Sequence, residues 1–119
     1  MPEKTITIGK DFTRVPGGRY REFGPFSGEQ FREDVLVPAL NENERVTVFL
    51  DDVESYMSSF LEEAFGGLIR KGHFTYDDLK NRLRVTAVAK RYLIYVQMVA
   101  QDMVDASNTP PNEKSPKVA

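Results

Sequence analysis

Residues 45–50 read RVTVFL, and no other stretch restricts the fold as much. The run is β-branched and nearly all apolar, with the length of a strand and almost no polar face to offer water. Such runs belong to central strands covered on both faces, the environment of a parallel sheet dressed with helices. Parallel neighbours are joined by crossovers of a dozen or more residues, so helices are expected on either side of this run.

The flanks supply them. Upstream, Ser27 reads as an N-cap with Gln30 three residues on, and Phe26 and Phe31 are spaced as a hydrophobic staple. The helix that follows carries Phe31, Val35, Leu36, Ala39 and Leu40 on one stripe and fades near Asn41; Pro38 either kinks its last turn or ends it early. Downstream, Phe60, Leu61, Ala64, Phe65, Leu68 and Ile69 form a second stripe, closed by Gly72. Gly66-Gly67 inside it costs about 1 kcal/mol per residue relative to alanine, which implies that another backbone, as of a sheet, comes close. Thr75 then caps a short helix, with Asp78 closing the box and Phe74 meeting Leu79. A strand is expected over residues 83–88 and a long helix over 90–106. At the front, residues 5–12 alternate as a half-buried strand, and 19–23 return as a second strand after the Pro16-Gly17-Gly18 turn. Residues 107–119 are polar, hold three prolines and have no apolar face, so a disordered tail is expected after a single domain over 1–106. The class is α/β: about four strands in a mixed, mostly parallel sheet with packed helices.

With 119 residues, 40% hydrophobic and 29% charged, the chain has the profile of an ordinary globular domain. A net charge of −2 gives no electrostatic argument for nucleic acid or an anionic membrane. No cysteine is present, which removes disulfides and thiolate chemistry, and the first residues lack the apolar core of a signal peptide. A cytoplasmic chain without a cofactor is the expectation.

Four groups of residues have side chains suited to chemistry. Asp51-Asp52, at the end of the central run, has the makings of a magnesium site, yet no phosphate-cradling Gly-rich loop accompanies it. His73 lies in a turn between helices with no partner set by spacing. Lys80, Arg82, Arg84, Lys90 and Arg91 lack the interleaved aromatics of a nucleic-acid surface and read as a solvated face. Ser58-Ser59 opens the second helix: Ser59 reads as its N-cap with Glu62 closing an S-x-x-E box, leaving Ser58 a spare hydroxyl beside a helix N-terminus, where a phosphate would find amide donors.

Two motifs, FGPFSGEQFRED with LVPAL (23–34, 36–40) and VTVFLDDV running into SYMSSFLEEAFGGL (46–68), resemble the STAS superfamily, in particular a bacterial STAS-like family of unknown function. The resemblance spans roughly residues 5–106. In the related anti-sigma-factor antagonists a strand ends in an acid, and a loop leads to a serine pair at a helix start that a partner kinase phosphorylates. Laid over this chain, the acid is Asp51 and the serines are Ser58, as acceptor, and Ser59. Met57 stands where those antagonists have aspartate and Phe60 where they have glycine, and the Ser-Ser-Phe form is similar to the STAS-like subfamily. The resemblance implies a regulatory protein–protein interaction module, not an enzyme. Its docking surface would comprise Asp51, Asp52, Met57, Phe60, Glu62 and Glu63 around the serines, and its partner would be an ATP-binding regulator of histidine-kinase-like type. Two alternatives stay open: a small metal- or nucleotide-binding domain or enzyme using Asp51-Asp52, and a structural oligomerisation module such as a homodimer.

Overall fold

A computed structural model describes residues 2–109. Strand β1 (Glu3–Thr7) is followed by a single helical turn, α1 (Ile8–Asp11), and by a long loop containing a 3₁₀ turn (Arg21–Phe23). Helix α2 covers residues 28–42, β2 is Arg45–Phe49, α3 covers residues 58–70, α4 is Tyr76–Arg82 and β3 is Leu83–Thr86. A 3₁₀ turn (Lys90–Tyr92) leads into α5 (Leu93–Ser107). Ser107, expected in the tail, is the last residue of α5, and the rest of the expected tail from residue 110 on lies outside the described residues.

The sheet has three strands among the described residues, in the order β1-β2-β3, and both pairings are parallel. The fourth strand, expected at residues 19–23, does not form. The carbonyls of Gly18 and Arg19 accept from the amides of Gly28 and Glu29 (2.9 and 3.0 Å), and the Glu29 carboxylate accepts from the Arg21 amide (3.0 Å). This loop thus satisfies donors at the start of α2 that a helix cannot satisfy itself. The first strand is also shorter than the alternation suggests. The Asp11 carboxylate takes the Thr7 amide (2.8 Å), closing the chain into a turn before Phe12.

Register sorts the strand side chains into two faces. Ile6, Val48 and Val85 share one row, with Val46 and Leu83 beside them, and this face meets the helices. Sequential parallel strands with right-handed crossovers put both crossover helices on one side. The opposite face carries Thr5, Thr7, Thr47, Phe49, Arg84 and Thr86, none fully buried, and no described element covers it. The expectation that RVTVFL is enclosed on both faces is corrected here. Thr47 and Arg45 are polar positions on the open side, and Phe49 is only half-buried.

Ser27 caps α2 as its spacing predicts, accepting from the Gln30 amide (3.0 Å). The staple does not form as expected: Phe12 stands against both Phe26 and Phe31, with ring centroids 5.4 and 5.0 Å away. Both long helices contain a π turn, Arg32–Leu36 in α2 and Glu62–Gly66 in α3. In α2 the wider turn precedes Pro38, and the helix continues to Glu42 without ending at the proline. Thr75 caps α4 by accepting from the Asp78 amide (3.1 Å), while Asp78 pairs with Arg82 (2.8 Å) rather than closing the box. No helix among the described residues is long and apolar enough to cross a membrane.

Candidate functional site

Because the strands are parallel, the connections that follow them all leave from the same end of the sheet, where α/β proteins generally place their functional loops. The segment after β2 is built of buried anchors and exposed residues. Asp51 is buried, and its carboxylate accepts from the amides of Val88 (2.9 Å) and Ala89 (2.9 Å), tying the β2 loop to the β3 loop. The Val53 amide donates to the Tyr92 hydroxyl (3.0 Å), which returns its proton to the Val53 carbonyl (2.6 Å); Arg91 donates to the same carbonyl (2.7 Å). The Tyr56 hydroxyl donates to the Leu50 carbonyl (2.7 Å), and burial raises its pKa well beyond that of a free phenol, with Tyr92, Asp51 and Tyr95 adding to the rise.

Between these anchors Asp52, Glu54, Ser55, Met57 and Ser58 face solvent. Asp52 holds a left-handed backbone (φ 68°), and its carbonyl lies so close to Gly9 that any Cβ there would overlap it. The Asp52 carboxylate has only a loose ion pair with Lys10 (3.9 Å). Among the described residues no three His, Asp or Glu side chains converge, and both Asp51 oxygens are engaged by backbone amides. The donor set expected of a metal centre at Asp51-Asp52 is therefore not assembled.

The serine pair does not cap α3. Met57 occupies the N-cap position, no side chain bonds the free amides, and Ser58 and Ser59 are the first two residues of the helix. The expected Ser59–Glu62 box fails because Glu62 is pulled away by Arg19 and Arg70. Ser58 is exposed, Ser59 is half-covered and Met57 is 56% exposed. Phe60 and Glu63, both placed on the expected docking surface, point into the interior instead. Phe60 packs between the rings of Phe31 and Tyr56 (centroids 6.1 and 5.8 Å).

Glu63 belongs to a buried ionic network that the sequence reading did not contain. Arg32, 2% exposed, donates to the Glu63 carboxylate (2.6 Å) and to the Glu63 carbonyl (2.8 Å), and pairs with Glu33 (2.7 Å). Arg19 and Arg70 also reach Glu63, both at 2.9 Å, and both pair with Glu62. Burial pushes the Glu63 carboxyl up, but the hydrogen bonds from Arg32 and Arg19 and the charge of Arg70 outweigh it and hold it below the usual range. His73 Nε2 donates to the Glu33 carboxylate (2.8 Å) at the edge of this network. The Gly66-Gly67 pair serves it too. A Cβ on Gly67 would overlap the Arg32 guanidinium, and one on Gly66 would meet the Glu62 carboxylate at 2.9 Å and the Asp102 carbonyl at 3.4 Å, so the close neighbours are charged side chains and α5 rather than the sheet. The signal was present in the sequence: Arg32 lies three and four residues before Val35 and Leu36, on the apolar stripe itself, and Glu63 lies four before Gly67.

The basic residues considered for nucleic acid are dispersed. Arg82 is bonded to the carbonyls of Leu40, Asn43 and Glu44, Arg91 holds the Val53 loop, and Arg84 lies on the open sheet face.

Every large apolar side chain left exposed among the described residues follows a strand at this same end. Val15, Phe23 and Phe26 lie after β1, Met57 after β2, and Val88, Leu93 and Ile94 after β3. Neither a curated protein nor a solved structure matches the chain. One family model does, a STAS-like domain of unknown function (DUF4325), over residues 27–92. That match takes in α2, the central strand, the clamped loop, the Ser58-bearing helix and β3, more than half of the chain, and the protein therefore belongs to this STAS-like family.

Proposed function

We propose that this domain is a regulatory protein–protein interaction module whose docking surface is the loop end of the sheet. The observation that carries the reading is that the large exposed apolar residues among the described ones all lie in the segments following the strands, with Met57 on a loop anchored by Asp51, Val53 and Tyr56. A surface apolar enough to attract a partner and rigid enough to lose little entropy on binding suits recognition. Ser58 is the phosphate acceptor in this reading, with Ser59 beside it. It is exposed, its hydroxyl is not committed to capping, and the unpaired amides of the first turn of α3 favour an anion. The partner is an ATP-binding regulator of histidine-kinase-like type. Asp52, Met57 and the exposed edge of Glu62 would meet it, while Asp51, Phe60 and Glu63 support the surface from inside.

The test is the intact mass of the domain after incubation with magnesium-ATP and lysate of its native cells, with fragments mapped. A phosphate's added mass on Ser58, absent from Ser58→Ala and retained by Ser59→Ala, supports the switch. An unmodified domain beside an actively phosphorylated control refutes it. A second reading, assembly with a copy of itself, has one observation in its favour, the bare outer face of the parallel sheet. Sedimentation that returns a monomer at high concentration eliminates it.

A further inference from the structure

We propose that the open face of the sheet, at the end where β2 and β3 begin, binds the diphosphate group of a small ligand. A hollow of about 350 Å³ lies there, and Arg45, Thr47, Lys80 and Arg84 line it together with Glu3. Thr47 pairs with Arg84 across β2 and β3, and Arg45 comes two positions before Thr47 on the same face. The strand spacing and rise put the two arginines about 8 Å apart as diagonal neighbours, so their long side chains can converge on one ligand. Both are exposed, and among the described residues neither guanidinium has a carboxylate within ion-pair distance. Lys80 has only Asp77, at 3.9 Å. Arg82 also reaches the hollow, but the carbonyls of Asn43 and Glu44 (both 2.9 Å) and the Asp78 carboxylate (2.8 Å) already occupy it.

Like charges on neighbouring strands repel, and an anion held between them turns that repulsion into attraction. Basic side chains also guard sheet edges against unwanted pairing, which accounts for Arg84 on β3 but not for Arg45 on the central strand. The cluster is a local feature, since the chain as a whole carries a net charge of −2. Its donors specify the ligand. A guanidinium fork takes a phosphate through two parallel hydrogen bonds. Each phosphate brings about two negative charges and several acceptor oxygens, so a linked pair offers one group to each fork and leaves oxygens for Lys80 and the Thr47 hydroxyl. A lone carboxylate would satisfy one fork and leave the other unpaired. The apolar lining is confined to Val46 and Leu83, too little to bind a greasy ligand by burial. Glu3 stands in register with Arg45 and repels an anion from the β1 side, directing it toward β3. From Arg45 to Leu50 the chain climbs about 17 Å along β2. The hollow and the docking surface proposed above are therefore at opposite ends of the sheet, and neither depends on the other.

The test is a titration of the ¹⁵N-labelled protein with inorganic pyrophosphate at constant ionic strength. Amide shifts should centre on residues 45–47 and 80–84 and saturate, with orthophosphate binding at least several-fold more weakly. Arg45→Gln and Arg84→Gln should each weaken pyrophosphate about tenfold, whereas Lys71→Gln, which removes a charge elsewhere, should leave it unchanged. Glu3→Gln should tighten binding several-fold, a gain that no folding defect can imitate. Equal affinity for orthophosphate, scattered shifts, or full affinity in the double arginine variant overturns the proposal. ADP distinguishes the sources of the group: tighter binding than pyrophosphate, with shifts extending to Phe49, supports a nucleoside diphosphate, and equal binding supports recognition of the diphosphate alone. Affinity for single-stranded oligonucleotides that exceeds that for ADP and rises with length overturns the small-ligand assignment.

Discussion

Replacing Asp102 by asparagine should make the protein more stable at neutral pH and leave it unchanged in acid. Asp102 sits half-buried on α5 where that helix lies against the π turn of α3. Burial raises its pKa from the ordinary 3.8 to about 6, helped by the negative charges of Glu62 and Asp105 and opposed by Arg19 and Arg70. The folded protein therefore binds this proton more tightly than the unfolded chain. The stability that comes with it is complete below 3.8 and is lost as pH rises through about 6. At 1.36 kcal/mol per pH unit the interval between 3.8 and about 6 amounts to about 3 kcal/mol. Partial access to solvent screens the interaction, which brings the expected gain of Asp102→Asn near pH 7.5 to about 1 kcal/mol, or about 4 °C in Tm for a domain of this size. Urea titrations of both proteins from pH 3.5 to 8 measure it. The wild type also contains Glu63 and Glu33, held below their usual range, which lose stability in acid; they are common to both proteins and cancel in the difference. The curves should converge below pH 4 and separate through pH 6. A gain equally large at pH 4 and pH 7.5, or none at pH 7.5, would refute the electrostatic reasoning and leave only a packing effect.

Arg32→Met should cost about 3–5 kcal/mol, because it strands the buried Glu63 carboxylate without its closest partner; the urea midpoint reports this, and a loss under 1 kcal/mol would show that Arg19 and Arg70 suffice alone. Tyr92→Phe removes the hydroxyl that serves both polar groups of Val53, so about 1–3 kcal/mol is expected. The Val53 amide should also exchange much faster in that variant, and unchanged exchange would mean that Arg91 holds the loop by itself. Gly67→Ala should destabilise by about 1–3 kcal/mol through overlap with Arg32, with most of the loss absent in an Arg32→Met background if that overlap is the cause. Ser27→Ala removes the α2 cap and should cost about 1 kcal/mol in a thermal melt.

Much of the fold was legible because local chemistry and tertiary structure agree. Ser27 and Thr75 cap the helices they precede, RVTVF forms the central strand, and the stripe from Phe60 to Ile69 is buried as its spacing predicts. Errors arose where a nonlocal partner outcompeted the local pattern. Glu62 and Glu63 carry the residue types of a solvated helix face, yet three arginines from different segments draw them inward. The serine box failed for the same reason, and the return strand at 19–23 gave its backbone groups to the start of α2. The β-branched, nearly all-apolar run RVTVFL showed a strand but not how many faces are covered, since Thr47 and Phe49 suit a half-exposed position as well as a buried one. At the candidate site Met57, Ser58 and Asp52 were found at the surface, whereas the anchoring of their loop through Tyr92 joins residues 39 positions apart, beyond any sequence period.

The paired π turns have a consequence for how the two helices tolerate change in length. A π turn takes up one residue more than an α turn while leaving the helix before and after it in phase. Deleting a single residue from Arg32–Leu36 or from Glu62–Gly66 should thus allow an unbroken α-helix whose ends still meet the sheet. Arg32 and Glu63 each lie within one of these turns, so the deletion would change the facing of one partner of their pair. A single deletion in α2 or α3 would then turn one partner of this pair away and leave the other without it, so the two deletions should be tolerated better together than either alone.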